Sequence, residues 1–317
     1  MSFVINMTFV RPQGFDIAGF QSVLNYQYFF IFLLVVYMAT LFSNGFLMAI
    51  ILFVDNLHTP KYIAIFNLSI IDVGYSTTII PKSAEVFLST STFVKYESCL
   101  TQMFFVLFFS AMESFSIAIL AYDRLISICF PLHCKTINTN SRMVSIIVIT
   151  GTVPLVASVI TVYLLTHLSF CNSVTVNSYY CDYGPMFNMA CNDNTPNWAM
   201  AYFSIVVFFC GPLTFILISY VCIVVTLLKI ASATERQKAF KTCIAHLLLV
   251  GIFFIPLLGI YITSWAKITV SVNTRIFNTS LAAALPPLLN PIIYTLKTEE
   301  IMNEVKKLFN RRLLTVF

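Results

Sequence analysis

Apolar residues run along this chain in blocks too long for the core of a soluble domain. No charge occurs from Ile17 to Val54, and about 20 consecutive apolar residues are enough for a helix to cross a bilayer. The pattern recurs and predicts seven spans: Tyr28 to Val54, Tyr62 to Leu88, Cys99 to Cys129, Met143 to Leu165, Trp198 to Leu228, Ala239 to Trp265 and Val272 to Leu296. The fourth and fifth carry no charge at all. Pro212, Pro256, Pro286, Pro287 and Pro291 lie inside the later spans. Such prolines kink a helix and free backbone carbonyls, which a bundle of neighbouring helices can satisfy. The fold class is an all-α membrane protein, a seven-transmembrane helix bundle. The domains are an N-terminal tail (1–27), the bundle (28–296) and a C-terminal tail (297–317). In that last tail Ile301, Val305, Leu308 and Phe309 recur at helical spacing. They predict a short amphipathic helix on the inner membrane surface.

Charge orients the bundle. Of the 18 Lys and Arg, only Arg11, Lys82, Lys95, Lys267 and Arg275 fall on the N-terminal side of the spans. By the positive-inside rule the N-terminus is extracellular and the C-terminus cytoplasmic. With 59% hydrophobic and 10% charged residues and a mean hydropathy of +0.88, the lipid bilayer is the partner that composition demands, and a nucleic acid is not. No nucleophile–base set, metal cluster or phosphate loop appears, so the chain does not read as an enzyme and implies no cofactor beyond an ion. Asn6-Met7-Thr8 is a glycosylation sequon in the outer tail.

The polar residues that interrupt the spans carry the candidate chemistry. Asp123 and Arg124 close the third span. Arginine keeps its proton and must find acceptors. An adjacent, exchangeable carboxylate makes the pair a candidate switch, although a helix-end pair snorkelling to the interface would have the same sequence. Asp72 and Glu113 sit near mid-bilayer, where two unpaired carboxylates need a proton or a cation between them. On the outer half of the third span Val106, Leu107, Ser110 and Ala111 share one face. Ser204 and Phe208, Leu258 and Tyr261, and Ser280 and Ala283 are positioned on later spans to complete a pocket for a small ligand. No acid lies on that face of the third span, which disfavours an amine ligand, while Lys82, Lys267 and Arg275 near the outer side hint at an acidic one. Cys99, Cys171, Cys181 and Cys191 face the oxidising side. Their spacing leaves three pairings open.

Several motifs then fall in order on the spans. They are Asn44, the run Leu57-His58-Thr59-Pro60-Lys61-Tyr62, Ala121 to Leu132, Ser219-Tyr220, Lys238 to His246, and Pro287-Leu288-Leu289-Asn290-Pro291-Ile292-Ile293-Tyr294. Together they resemble the olfactory (odorant) receptors, a family of rhodopsin-like G protein-coupled receptors, over nearly the whole chain. Lys61, Leu125, Lys241, Ala245 and Phe254 depart from the family's usual residues. The resemblance implies a receptor that binds a small odorant and activates the alpha subunit of a stimulatory, olfactory-type G protein, raising cyclic AMP. It implies disulfides Cys99–Cys181 and Cys171–Cys191, and a sodium ion held by Asp72 and Glu113 with Asn44 and Asn290 nearby. It further implies an inner switch in which Arg124, held by Asp123 at rest, moves to Tyr220 and Tyr294. Two other readings stand beside it: a receptor of the same fold for a metabolite or pheromone outside olfaction, and an ion channel or transporter using Asp72 and Glu113 as a path.

Overall fold

The structure, a computed structural model, describes residues 10–19, 26–89, 91–229, 232–265, 271–297 and 300–303. The side chains of residues 235, 238, 239, 241, 242, 261, 263–265, 296 and 297 lie outside that description. Among the described residues, seven helices are long and apolar enough to cross a membrane. They are α1 (Tyr26–Phe53), α2 (Pro60–Leu88), α3 (Tyr96–Cys129), α4 (Asn140–Thr166), α5 (Thr195–Lys229), α6 (Ala233–Trp265) and α7 (Val272–Lys297). Each of the seven expected spans corresponds to one of these helices, with ends a few residues apart. Starts are set locally. Pro60 occupies the first turn of α2, where its missing N–H costs nothing. The Thr139 hydroxyl accepts from the Arg142 N–H and caps α4.

α3 is the axis. From Ala111 to Ala121 it is buried on nearly every face, and it packs against α2, α4, α5 and α6. The peripheral helices instead turn large apolar side chains outward, Phe42, Phe53 and Leu228 among them. A bilayer, not water, is the solvent that such faces suit. α5 is broken by a π-helical stretch, Val206–Cys210, just before Pro212. A proline at that place cannot take its ordinary helical hydrogen bond, and the wider turn absorbs the mismatch.

Helix α7 shows how the bundle satisfies its own prolines. Pro291 has no N–H to give the carbonyl four residues back, that of Pro287. Asn44 of α1 takes its place, its Nδ2 donating to the Pro287 oxygen at 2.9 Å and to the Thr40 oxygen at 3.1 Å. Asn44 is fully buried, so the bond ties α1 to α7 where no water can substitute.

The outer face carries a feature absent from the sequence expectation. Within the N-terminal tail, β1 (Gly14–Ile17) pairs antiparallel with β2 (Phe93–Lys95) and parallel with β3 (Thr175–Val176). Phe15 is wholly buried against Tyr96 and Phe170. A side chain at Gly14 would run into the Val94 carbonyl across the sheet, so the register requires glycine there. Disulfides join Cys99 to Cys181 and Cys171 to Cys191. Asn6 lies outside the described residues, as does most of the expected C-terminal amphipathic helix; residues 300–303 are described, and Ile301 is buried against the bundle.

The α1–α7 tie can be tested directly. Asn44→Leu leaves the Pro287 carbonyl buried without its donor, at a cost of about 1–3 kcal/mol. The purified variant is expected to melt several degrees below wild type in detergent. An unchanged melting temperature would show that the bond contributes nothing.

Candidate functional site

Three polar layers lie along α3. The outermost is a cavity of about 250 Å³, small beside the roughly 300–1,000 Å³ of drug-sized pockets. α3 supplies Val106, Leu107, Ser110 and Ala111 to its wall, and α5 supplies Ser204, Phe208 and Phe209. Leu257 and Ile260 of α6 and Thr279 and Ala282 of α7 close it on the far side. α4 contributes Ala157, Ser158 and Thr161, and the roof is Tyr179, Tyr180 and Asp182 from the loop before α5. That roof is fastened at several points. Cys181 is bonded to Cys99, its N–H donates to Gln102 Oε1 at 3.1 Å, and the Tyr179 hydroxyl donates to the Thr279 carbonyl at 3.3 Å.

The middle layer is the polar core. Asn290 Nδ2 donates to both oxygens of Asp72 at 3.0 Å each. Asp72 and Glu113 are both fully buried and lie within electrostatic reach of each other. Among the described residues, neither Glu113 oxygen has a hydrogen-bond partner, nor do Asn44 Oδ1, Ser76 Oγ and Ser114 Oγ. A set of buried oxygens without donors suits a hard cation or a shared proton.

The inner layer contains Asp123, Arg124, Tyr220 and Tyr294. The resting Asp123–Arg124 pair expected from the sequence does not form. Asp123 instead accepts from Asn138 Nδ2 at 2.8 Å, and the ion pairs among the described residues involve neither Asp123 nor Arg124. The reason is geometric. Adjacent residues on a helix point about 100° apart, whereas the loop after α3 folds Asn138, itself buried, back under Asp123. Tyr220 is engaged with α6: its hydroxyl lies 2.9 Å from His246 Nδ1, and His246 Nε2 lies 3.0 Å from the Ile117 carbonyl of α3. A carbonyl only accepts, so in a neutral ring Nε2 carries the proton and Nδ1 accepts from Tyr220. The Tyr294 hydroxyl is buried without a partner among the described residues.

The family model described as olfactory receptor matches residues 33–312. The chain belongs to the olfactory receptor family. It is 32% identical to mouse olfactory receptor 1E16 over 90% of each chain. To human olfactory receptor 6C75 it is 32% identical over 90% of this chain and 91% of that one. Squid rhodopsin shares the fold, with a TM-score of 0.73 at 16% identity over 91% of this chain and 86% of that one. This olfactory receptor is thus a multi-pass plasma-membrane protein of the rhodopsin-like fold, and a receptor, not an enzyme.

Within this receptor the expected ligand contacts divide by helix. Those on α3 and α5 lie on the cavity wall. Leu258, Ser280 and Ala283 do not; their neighbours Leu257, Thr279 and Ala282 do. Ser280 is turned into its own helix, donating to the Phe277 carbonyl. The Tyr261 side chain lies outside the described residues. The cations expected to draw an acidic ligand are committed elsewhere: Lys82 pairs with Glu85 at 2.9 Å and Arg275 donates to the Asn177 carbonyl, while Lys267 lies outside the described residues. The loop before α5, expected to be pinned by its disulfides as a lid, does cover the cavity; the α4 wall, the roof residues Tyr179, Tyr180 and Asp182, Asn138 and the bridging role of His246 were not expected from the sequence. For His246 there was a signal, a lone imidazole in an apolar span; which loop residues line the roof, and that Asn138 meets Asp123, only the folded loops reveal.

A double-mutant cycle separates the observed partner of Asp123 from the expected one. Asn138→Ala is expected to lower the melting temperature in wild type, by a charged hydrogen bond's worth of about 1.5–3 kcal/mol, and to do little in an Asp123→Ala background. Coupling of Asp123 to Arg124 but not to Asn138 would reverse the assignment.

Proposed function

We propose that this protein is an odorant receptor whose outer cavity binds a small odorant and whose inner face activates the alpha subunit of a stimulatory, olfactory-type heterotrimeric G protein, raising cyclic AMP. One observation carries the reading: a single helix bears both ends of the device. α3 lines the cavity at Val106, Leu107 and Ser110 and carries Arg124 near its inner end. At 1.5 Å per residue, Val106 and Arg124 are about 27 Å apart along it.

Activation then follows from the bonds present. An odorant drawing the outer halves of α3, α5 and α6 together strains the polar bridge beneath. Tyr220 is held by His246 on α6, and His246 by Ile117 on α3. Outward movement of the inner half of α6, hinged near Pro256, breaks that bridge and releases the Tyr220 hydroxyl. Arg124, not paired with Asp123, then reaches Tyr220 and the unpartnered Tyr294 hydroxyl. The cleft so opened accepts an amphipathic helix of the G protein. The energy released at the cavity has only to exceed the few kcal/mol that separate the two states.

The core between the two ends fits a sodium ion. Asp72, Glu113, Ser76, Ser114 and Asn44 supply oxygens only, as a hard cation requires, and five of those oxygens have no protein donor. Sodium there would neutralise the two carboxylates and favour the resting packing.

Two measurements test this reading. In cells at matched surface expression, an odorant that raises cyclic AMP through wild type is expected to lose its effect in Arg124→Ala; an equal response in both would refute the switch. Sodium is expected to raise the melting temperature of the purified wild type relative to potassium at equal ionic strength, and not that of Glu113→Gln. A sodium effect that persists in the variant would place the ion elsewhere.

A further inference from the structure

Asp182 is the cavity's one carboxylate, and no Lys, Arg or His lines the described wall with it. Its position is fixed, because Cys181 beside it is tied to Cys99 at the head of α3. Its side chain has a backbone partner, the Gly184 N–H, and among the described residues no side chain closes on it. Asp182 stands at the N-terminal end of a short loop helix, Tyr183–Asn188, where the Gly184 N–H faces its carboxylate. It forms none of the described ion pairs. Arg275 is the cation whose field reaches it, but that guanidinium donates to the Asn177 carbonyl and does not close on the carboxylate. Burial pushes the Asp182 carboxyl above its ordinary range, only partly offset by Arg275 and by the Gly184 N–H. A half-buried anion with one backbone N–H and a cation that does not close on it has recovered only part of its lost hydration, and a ligand that supplies a further donor recovers more.

The rest of the wall indicates what that partner must be. Tyr75, Tyr179 and Tyr180 stand on the same wall as Asp182, with the rings of Tyr179 and Tyr180 edge to face at 4.8 Å. Aromatic faces favour a cation and do not favour an anion. Val106, Leu107, Phe208, Phe253, Leu257 and Ile260 offer hydrocarbon to the remainder of the ligand. A carboxylic acid would meet Asp182 charge against charge.

We propose that this receptor selects small alkylamines, with the ammonium group donating to Asp182 under the tyrosine roof and the hydrocarbon chain lying against α3, α5 and α6. The assignment rests on the odorant-receptor reading and names its ligand class. It reverses the expectation drawn from α3 alone, because the acid comes from the loop rather than from a helix.

The experiment uses the full-length receptor in cells, reading cyclic AMP against butyl to octyl amines and the alcohol and carboxylate of each chain length. Surface expression is matched by antibody labelling. Amines are expected to activate wild type at lower concentration than their alcohols, and the acids not at all. Asp182→Asn is expected to weaken the amine response by about tenfold or more, as loss of a charge-assisted hydrogen bond requires, and to leave any alcohol response within about threefold. Asp182→Glu, which keeps the charge, is expected to retain the amine preference. Alcohol or acid responses without an amine response would overturn the amine assignment while leaving the odorant reading intact. Silence to every amine, or an amine response unchanged in Asp182→Asn, would also overturn it. A variant that reaches the surface and loses amine and alcohol responses together would show Asp182 to be a structural residue of the roof, and would equally overturn the assignment.

Discussion

A carboxylate buried in hydrocarbon has to be given a donor or a cation, and the arrangement of this bundle follows from how that demand is met at Asp72. Both Asp72 oxygens are served by the single amide of Asn290. Asn290 in turn sits between Pro287 and Pro291, where the helix cannot complete its own backbone bonds. The carbonyl left over is taken by Asn44. Three helices, α1, α2 and α7, are therefore held by amide groups with no water to replace them, and α3 lays Glu113 against the same point. Removing one partner leaves a buried polar atom unsatisfied, which costs more than the bond was worth. The helices around this centre must move together or break it, and such all-or-none behaviour is what a two-state receptor needs.

The inner end is organised differently. Its bonds are exchangeable. Asp123 is held from outside the helix by Asn138, and Tyr220 by His246, and among the described residues Arg124 has no ion pair to break. In the resting pair expected from the sequence, activation would have to separate two adjacent opposite charges in a poorly solvated place. In the proposed switch the barrier would lie instead in two neutral bonds through one imidazole. A resting state locked by neutral hydrogen bonds is weaker than one locked by an ion pair in the same dielectric, which brings the two states closer in energy.

What could be read from the sequence was whatever depends on the chain's local periodicity. Seven apolar blocks separated by charge gave seven helices, because in a bilayer a span has almost no alternative to a helix. The α3 face was legible for the same reason, since Val106, Leu107, Ser110 and Ala111 repeat at helical spacing and all line the cavity. On α7 the same logic slipped by one residue, choosing Ser280 and Ala283 over Thr279 and Ala282. One residue is about 100° of rotation, and its phase is fixed by contacts with α1, α2 and α6, not by the helix's own sequence. Beyond the spans nothing local sufficed. β1 is four residues long, too short for its alternation to register, and its partners lie about 80 and 160 residues onward. Asn138 and Asp182 sit in loops, where no period exists to say which way a side chain faces.

The roof is where those unreadable pieces meet. β1 and β3 pair across the outer face, the two disulfides tie the loop before α5 to itself and to α3, and Tyr179 ties it to α7. A loop so fastened differs physically from a flexible one. It pays its ordering entropy on folding rather than on binding, so a ligand that reaches Asp182 need not order it again. That rigidity matters more in a cavity of about 250 Å³ than in a large one. A small ligand has few atoms with which to offset any cost, and its discrimination has to come from one or two polar contacts held in place beforehand. A carboxylate fixed by its neighbouring disulfide, with no cation closed on it among the described residues, would be such a contact.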